Sequence, residues 1–464
     1  MYFSIPFTVT LACWNEAKVF FIYKSSKWEI LHIMKNFFGF TERNTSYKQE
    51  VFAGLTTFLS VSYILVVNPL ILSQAGMDRG AVFTATALTA IIGTLLIGLL
   101  ANYPIAIAPS MGLNSFFTFS VVIGMGIEWQ VALTGVFIAG IIFMILSLMK
   151  IREKIINAIP EDLKHAIAAG IGFFIAFIGF KNAGIIIANP DTFVSIGDLT
   201  LPGTALAIVG LIITIIMLVR GVNGAIFYGM AITTIIGMLV GLIKIPSSII
   251  GTIPSLEPTF GAVFMNLDAI FTPDVLAVIF TFLFVAFFDT AGALIALTSQ
   301  AGIMKNNKIP KIGKALLADS SAASIGAILG TSTPATSVES SSGIAVGGRT
   351  GFTSIIIALC FAIALFFSPI LAVITTEVTA PALIIVGALM AMDIRNINWG
   401  KIEIVIPAFL TIIMMPLTSS VAMGLAFGFI LYPLSLLAQK RYKEIHPIMY
   451  VLCLLFILYF IFIA

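Results

Sequence analysis

Apolar positions along this chain gather into long runs with short polar breaks, not into the half-polar periodicities of a soluble protein. Fourteen runs are long enough, or nearly so, to cross a bilayer. They lie at about 51–72, 81–101, 105–123, 130–149, 164–181, 203–219, 223–243, 274–297, 315–330, 334–348, 352–371, 378–394, 402–418 and 419–438. The third and tenth are short or polar, as in discontinuous helices. A last apolar run, 447–464, is either a fifteenth span or a segment along the interface. The pattern predicts an all-α polytopic membrane protein of about fourteen transmembrane segments.

One polar stretch breaks the pattern. Eight of the thirteen residues from Thr331 to Gly343 carry a hydroxyl, and Glu339 adds a carboxylate. Lying between two apolar runs, this stretch cannot face lipid, so it is expected to line an enclosed, watered cavity. Its partner is visible in an internal repeat. Ser73-Gln-Ala-Gly76 recurs as Ser299-Gln-Ala-Gly302, an offset of 226 residues. Pro109 precedes Asn114 as Pro334 precedes Glu339, at an offset of 225. Seven spans separate the copies, and seven is odd, so the second half is expected to enter the membrane inverted, as in secondary transporters.

Composition agrees. Hydrophobic residues make up 59% of the 464, charged residues 10%, and the mean hydropathy is +1.11, which excludes a set of soluble domains. Three cysteines and three histidines, all scattered, argue against a disulfide framework or a metal site. With the N-terminus cytoplasmic, 21 of the 24 Lys and Arg residues fall on inner segments, leaving Arg79, Lys181 and Lys244 outside. That split supports the span count, places the 246–274 loop outside, and implies a multi-pass plasma-membrane protein. Residues 1–33 fit poorly as part of the fold. Met34-Lys-Asn-Phe-Phe-Gly-Phe reads as an amphipathic start, so the transporter domain is expected to be 34–464.

Asp289 sits well inside the eighth run. On a helix it shares a face with Ala286, Ala293 and Ala296, while Leu283, Phe287 and Leu294 form a bulky face. An intramembrane carboxylate is a functional candidate by default; a structural hydrogen bond to a Ser or Thr is the bland alternative. Glu339 is the second candidate, on a helix expected to begin near Pro334, with Thr336, Ser337 and Ser340 around it and Asn114 at the equivalent place in the first half. Asp319 is either part of a proton path or a boundary charge paired with a lysine. Asp393 and Glu403 read as solvated boundary charges, and Arg349 as an anchor. Carboxylates without a buried cation suit a ligand rich in hydrogen-bond donors, or a cation. Desolvation favours a neutral carboxyl, which is what proton coupling needs.

The chain resembles the nucleobase–ascorbate transporter superfamily, specifically its Azg-like branch of adenine/guanine/hypoxanthine permeases. The resemblance rests on Ala53-Gly-Leu-Thr-Thr-Phe58, Asn68-Pro69, Pro109-Ser-Met-Gly-Leu-Asn114, Phe288-Asp-Thr-Ala-Gly292, Gly330-Thr-Ser-Thr-Pro334, Val338-Glu-Ser340 and Pro381-Ala-Leu-Ile-Ile-Val-Gly387. It implies a seven-plus-seven inverted repeat with short extended strands leading into spans three and ten. It implies a core (about 51–149 and 274–371) moving against a gate (about 164–243 and 378–438) in an elevator-like cycle. It further implies Asp289 and Glu339 bonded to a purine with Asn114 beside it, the proton as coupling ion, and a homodimer through the gate. No cofactor and no nucleic-acid partner are implied. Pro109-Ser110 departs from the glycine-rich form expected there. A uracil or xanthine transporter differs only in pocket detail. A sulfate-permease-type anion exchanger shares the fold but calls for basic residues at the site, and an intramembrane enzyme calls for a nucleophile–base pair or metal cluster, neither of which the sequence offers.

Overall fold

The computed structural model describes residues 33–149, 159–246, 248–266, 271–304 and 309–462. Nearly all of the expected N-terminal extension (1–32), the basic residues Lys150, Arg152, Lys154, Lys305 and Lys308, and Asp268 lie outside the described residues. Nine described helices are long and apolar enough to cross a membrane; shorter helices complete two sets of seven.

The first set begins with α1 (Tyr47–Val61) and α2 (Ile64–Ser73), one bent span. At the bend the backbone tightens, Leu65 N bonding Ser62 O and Val66 N bonding Tyr63 O, a 3₁₀ turn inside a helix. Then come α3 (Arg79–Leu100), β1 (Ile107–Pro109) and α4 (Met111–Ser115). α4 continues as a π-helix over Phe116–Gly124. The set ends with α5 (Trp129–Leu148), α6 (Glu161–Asn182), α7 (Pro202–Val219) and α8 (Ala225–Leu239). Between α6 and α7 stands an exposed hairpin, β2 (Ile186–Asn189) with β3 (Phe193–Ile196).

The second set repeats the order: α9 (Pro273–Gln300), α10 (Ile312–Leu329), β4 (Pro334–Thr336), α11 (Ser340–Ala345) and α12 (Gly351–Ala364). α13 (Ser368–Ala372) extends α12, and α14 (Thr376–Ala391), α15 (Ile402–Thr418) and α16 (Val421–Ala438) follow. The repeated tetrapeptide closes α2 and α9 alike, each with its glycine in the left-handed region, Gly76 at φ 85° and Gly302 at φ 66°, where other residues are strained.

The two sets meet at one antiparallel strand pair, Ile107 opposite Thr336, Ala108 opposite Ala335 and Pro109 opposite Pro334. The two repeat-equivalent prolines therefore face each other, as a two-fold axis through that point requires. Ser110 N bonds Thr333 O and Ser337 N bonds Ala106 O, so by alternation Pro109 and Pro334 occupy a non-hydrogen-bonded pair. A proline costs nothing there, having no N–H to give. The helix expected to begin near Pro334 in fact begins at Ser340, with Glu339 at its cap; Pro334 belongs to the strand for the reason just given.

Packing holds this crossing. α14 lies along α6, α12 along α3, and α10 against α3 and α5. α6 and α14 touch at glycines, since a Cβ on Gly172 would come 2.6 Å from Gly387 O. The buried carboxylate of Glu50 caps α12, accepting from the backbone N–H groups of Arg349, Thr350 and Thr353 and from both threonine hydroxyls. A negative charge is favourable at a helix N-terminus. Arg349 bonds Ile344 O and Gly348 O, an anchor as expected. Glu403 differs from expectation: it is largely covered, and Arg441 binds it at 2.5 Å. The run after 446 forms α17 (Pro447–Phe462), whose Phe456 stacks on Phe429 of α16 and meets Phe280 of α9 edge-on.

Candidate functional site

The strand crossing leaves a cavity of about 70 Å³ between the two sets. Val61, Tyr63 and Ile64 line it from the bend of the first span, and Ala108 to Gly112 from the start of the third. Asp289 comes from α9, Ala335 to Glu339 from the tenth span, and Val386 and Met390 from α14. Among these described lining residues there is no Lys, Arg or His. A larger cavity of about 150 Å³, lined by Leu65, Val66, Pro69, Phe83, Pro254 and Arg79 among others, holds no carboxylate; its apolar wall offers little to orient a polar ligand.

The sequence-predicted carboxylates are thus brought together on one cavity. Each is met by hydroxyls. Ser110 Oγ donates to Asp289 Oδ2 at 2.5 Å. Tyr63 Oη donates to Glu339 Oε1 at 2.6 Å, and Ser337 Oγ to Glu339 Oε2 at 2.5 Å. Bonds to an ionised acceptor are short and strong. The bulky face of α9 is core, with Phe287 and Leu294 buried, which turns Asp289 toward the crossing.

The other candidates divide. Thr336 and Ser337 line the cavity. Ser340 does not; it is fully buried and its Oγ accepts from Ala106 N, tying the tenth span to the strand. Asn114 is also fully buried and lies off the lining, both amide atoms lacking a hydrogen-bond partner among the described residues. Asp319 is buried and accepts from Thr290, the neighbour of Asp289, at 2.9 Å.

Tyr63 and Ser110 were not foreseen. A tyrosine in an apolar run reads as packing. The repeat could have found it, since the 226-residue offset carries Tyr63 onto Asp289.

A family model described as a permease family matches residues 48–461. The chain is 56% identical over 438 residues to the guanine/hypoxanthine permease PbuG of Bacillus subtilis, covering 92% of this chain and 100% of that one. It is 40% identical over 432 residues to the adenine permease AdeP of Escherichia coli, covering 93% and 96%. Among solved structures, the transmembrane domain of the cyanobacterial bicarbonate transporter BicA matches with TM-score 0.58 at 18% identity, over 84% of this chain and 96% of that one. SLC26A9 matches with TM-score 0.59 at 12% identity, over 94% and 73%. At such identities the structural likeness shows the fold alone, and that fold is the seven-plus-seven plan.

Proposed function

We propose that this chain, which belongs to the nucleobase–ascorbate permease family, imports purine nucleobases by proton symport. As a permease it is a transporter and not an enzyme. The observation that carries the reading is the pair Asp289 and Glu339 facing one cavity whose described lining has no basic residue. Ring N–H and exocyclic amine groups of a purine donate; two carboxylates accept. Relatives named for guanine, hypoxanthine and adenine support the same substrate class. The BicA-like fold raises an anion as a second reading, but two carboxylates would repel one.

The transport cycle follows the elevator plan. Spans one to four and eight to eleven form a core, and the rest a gate. Among the side-chain hydrogen bonds between these groups are Arg79 to Ile374 O at 2.6 Å, in the loop before span twelve, and Ser120 to Ser419 O at 2.5 Å. By the charge distribution both lie on the outer face, which supports a cycle in which these contacts break and re-form there. Asp289 exchanges the coupled proton while Glu339 holds the ligand, and Asp319, joined through Thr290, extends the path. The protein works in the plasma membrane with its N-terminus inside, as a homodimer through the gate.

The test is uptake of radiolabelled guanine, hypoxanthine, adenine and uracil by cells lacking their own purine transport, with and without a protonophore. Protonophore-sensitive uptake of purines is expected. Equal uptake with protonophore present would reject proton coupling, and no purine uptake by protein present at the surface would reject the substrate class.

A further inference from the structure

Tyr63 sits in the turn between α1 and α2, only 3% exposed, and forms part of the cavity wall. Its hydroxyl reaches across the two halves to Glu339. In the repeat it holds the place of Asp289, and both residues bond across the two halves, though to positions that the repeat does not pair. A first-half phenol bonds the second-half carboxylate, and a second-half carboxylate takes a bond from Ser110 of the first half.

The hydroxyls that meet the carboxylates, on Tyr63, Ser110 and Ser337, all donate. A hydroxyl has one proton and two lone pairs. Once its proton is committed to an ionised carboxylate, only lone pairs remain for the cavity. The polar wall that a ligand meets is then made of acceptors. Protonating Glu339 ends that commitment, because the acid no longer needs both donors and itself carries an O–H.

We propose that Tyr63 is a specificity-determining residue whose hydroxyl reverses its hydrogen-bond polarity with the charge on Glu339. While Glu339 is ionised, the phenol oxygen accepts from the ligand beside Glu339 Oε1. This pair of adjacent acceptors fits a heterocycle with a ring N–H next to an exocyclic amine. When Glu339 takes a proton, the phenol is released to donate, and the fit to that edge is lost. A proton on Glu339 thereby competes with the ligand, and the proton carried with the ligand belongs to Asp289. The titratable groups facing Tyr63 are Glu339 on the tenth span and Asp289 on α9, with no Lys, Arg or His among the described lining residues. The inference rests on the purine reading above.

Tyr63→Phe removes the hydroxyl and keeps the ring, so it separates this role from packing. Uptake of guanine and hypoxanthine by the full-length wild type and variant is measured from mildly acidic to mildly alkaline external pH. The expected result is a KM raised about tenfold, more for guanine with its amine than for hypoxanthine, Vmax within about twofold, and a flattened pH dependence of KM. Purine-dependent thermal stabilisation of the purified protein reads the same affinity difference should surface expression fall. In a Glu339→Gln background that stabilisation should change little on adding Tyr63→Phe, because the two groups act as a pair. A variant with wild-type KM values and wild-type pH profile, beside a wild type that transports purines, would overturn this role alone. A wild type that transports no purine would overturn both readings.

Discussion

Asp289 and Glu339 are membrane-depth carboxylates whose partners are hydroxyls, not cations. Hydroxyls donate hydrogen bonds without a counter-charge, so no described lining residue neutralises these carboxyls. Asp289→Asn and Glu339→Gln each keep the shape and lose a charged acceptor. A hydrogen bond to a charged group contributes about 1.5–3 kcal/mol, so each variant should lose roughly 10–100-fold in purine affinity and lose accumulation against a gradient. Radiolabelled uptake beside surface abundance measures this, and wild-type affinity in both variants would remove these carboxylates from the site. Both were legible in the sequence because ionisable residues stand out in apolar runs. Tyr63 was not, since its aromatic ring suits a buried helix and only its hydroxyl, placed by the turn at Ser62, gives it a polar role. Asn114 was legible as the counterpart of Glu339, yet its side chain lies off the cavity lining. Repeat position fixes the backbone place, not the direction of the side chain.

Elements were legible where hydropathy alone sets them. The long spans follow the apolar runs closely. The broken spans were legible only as short or polar runs, and their strands came from the family resemblance. Proline signals a helix start as readily as an extended segment, and the choice at Pro334 depended on a partner 225 residues away. The β2–β3 hairpin left no apolar signature, and α17 could not be told from an interfacial helix because both look alike in composition. Glu50 looks in the sequence like a charge at the edge of the first span, although it caps α12 with both carboxylate oxygens. Glu50→Ala would leave the buried N–H groups of Arg349, Thr350 and Thr353 unsatisfied, at a cost of about 1–3 kcal/mol for each such group. The expected outcome is a clearly lower melting temperature of the purified protein with purine KM retained in whatever reaches the membrane. An unchanged melting temperature would contradict the capping role.

At the scale of the molecule, the two sets of seven pack helix against helix and pair one strand from each, with the carboxylates beside that strand pair. The repeat and the odd number of spans made that plan legible. The relative placement of the third and fourteenth spans was not, because it depends on contacts between distant segments such as Ser120 and Ser419. If those contacts close the outer face and the core moves, joining cysteines placed at 120 and 419 with a short reducible thiol cross-linker should stop uptake. Reductant should restore it, in a background lacking Cys13, Cys360 and Cys453. Full uptake in the joined protein would reject movement between these segments. The most direct test of the central claim uses purified protein in sealed vesicles, with labelled hypoxanthine outside and an imposed proton gradient, acid outside. Accumulation above the external concentration is expected, dependent on the gradient and lost in Asp289→Asn. Accumulation that is equal without the gradient, or undiminished in that variant, would contradict it.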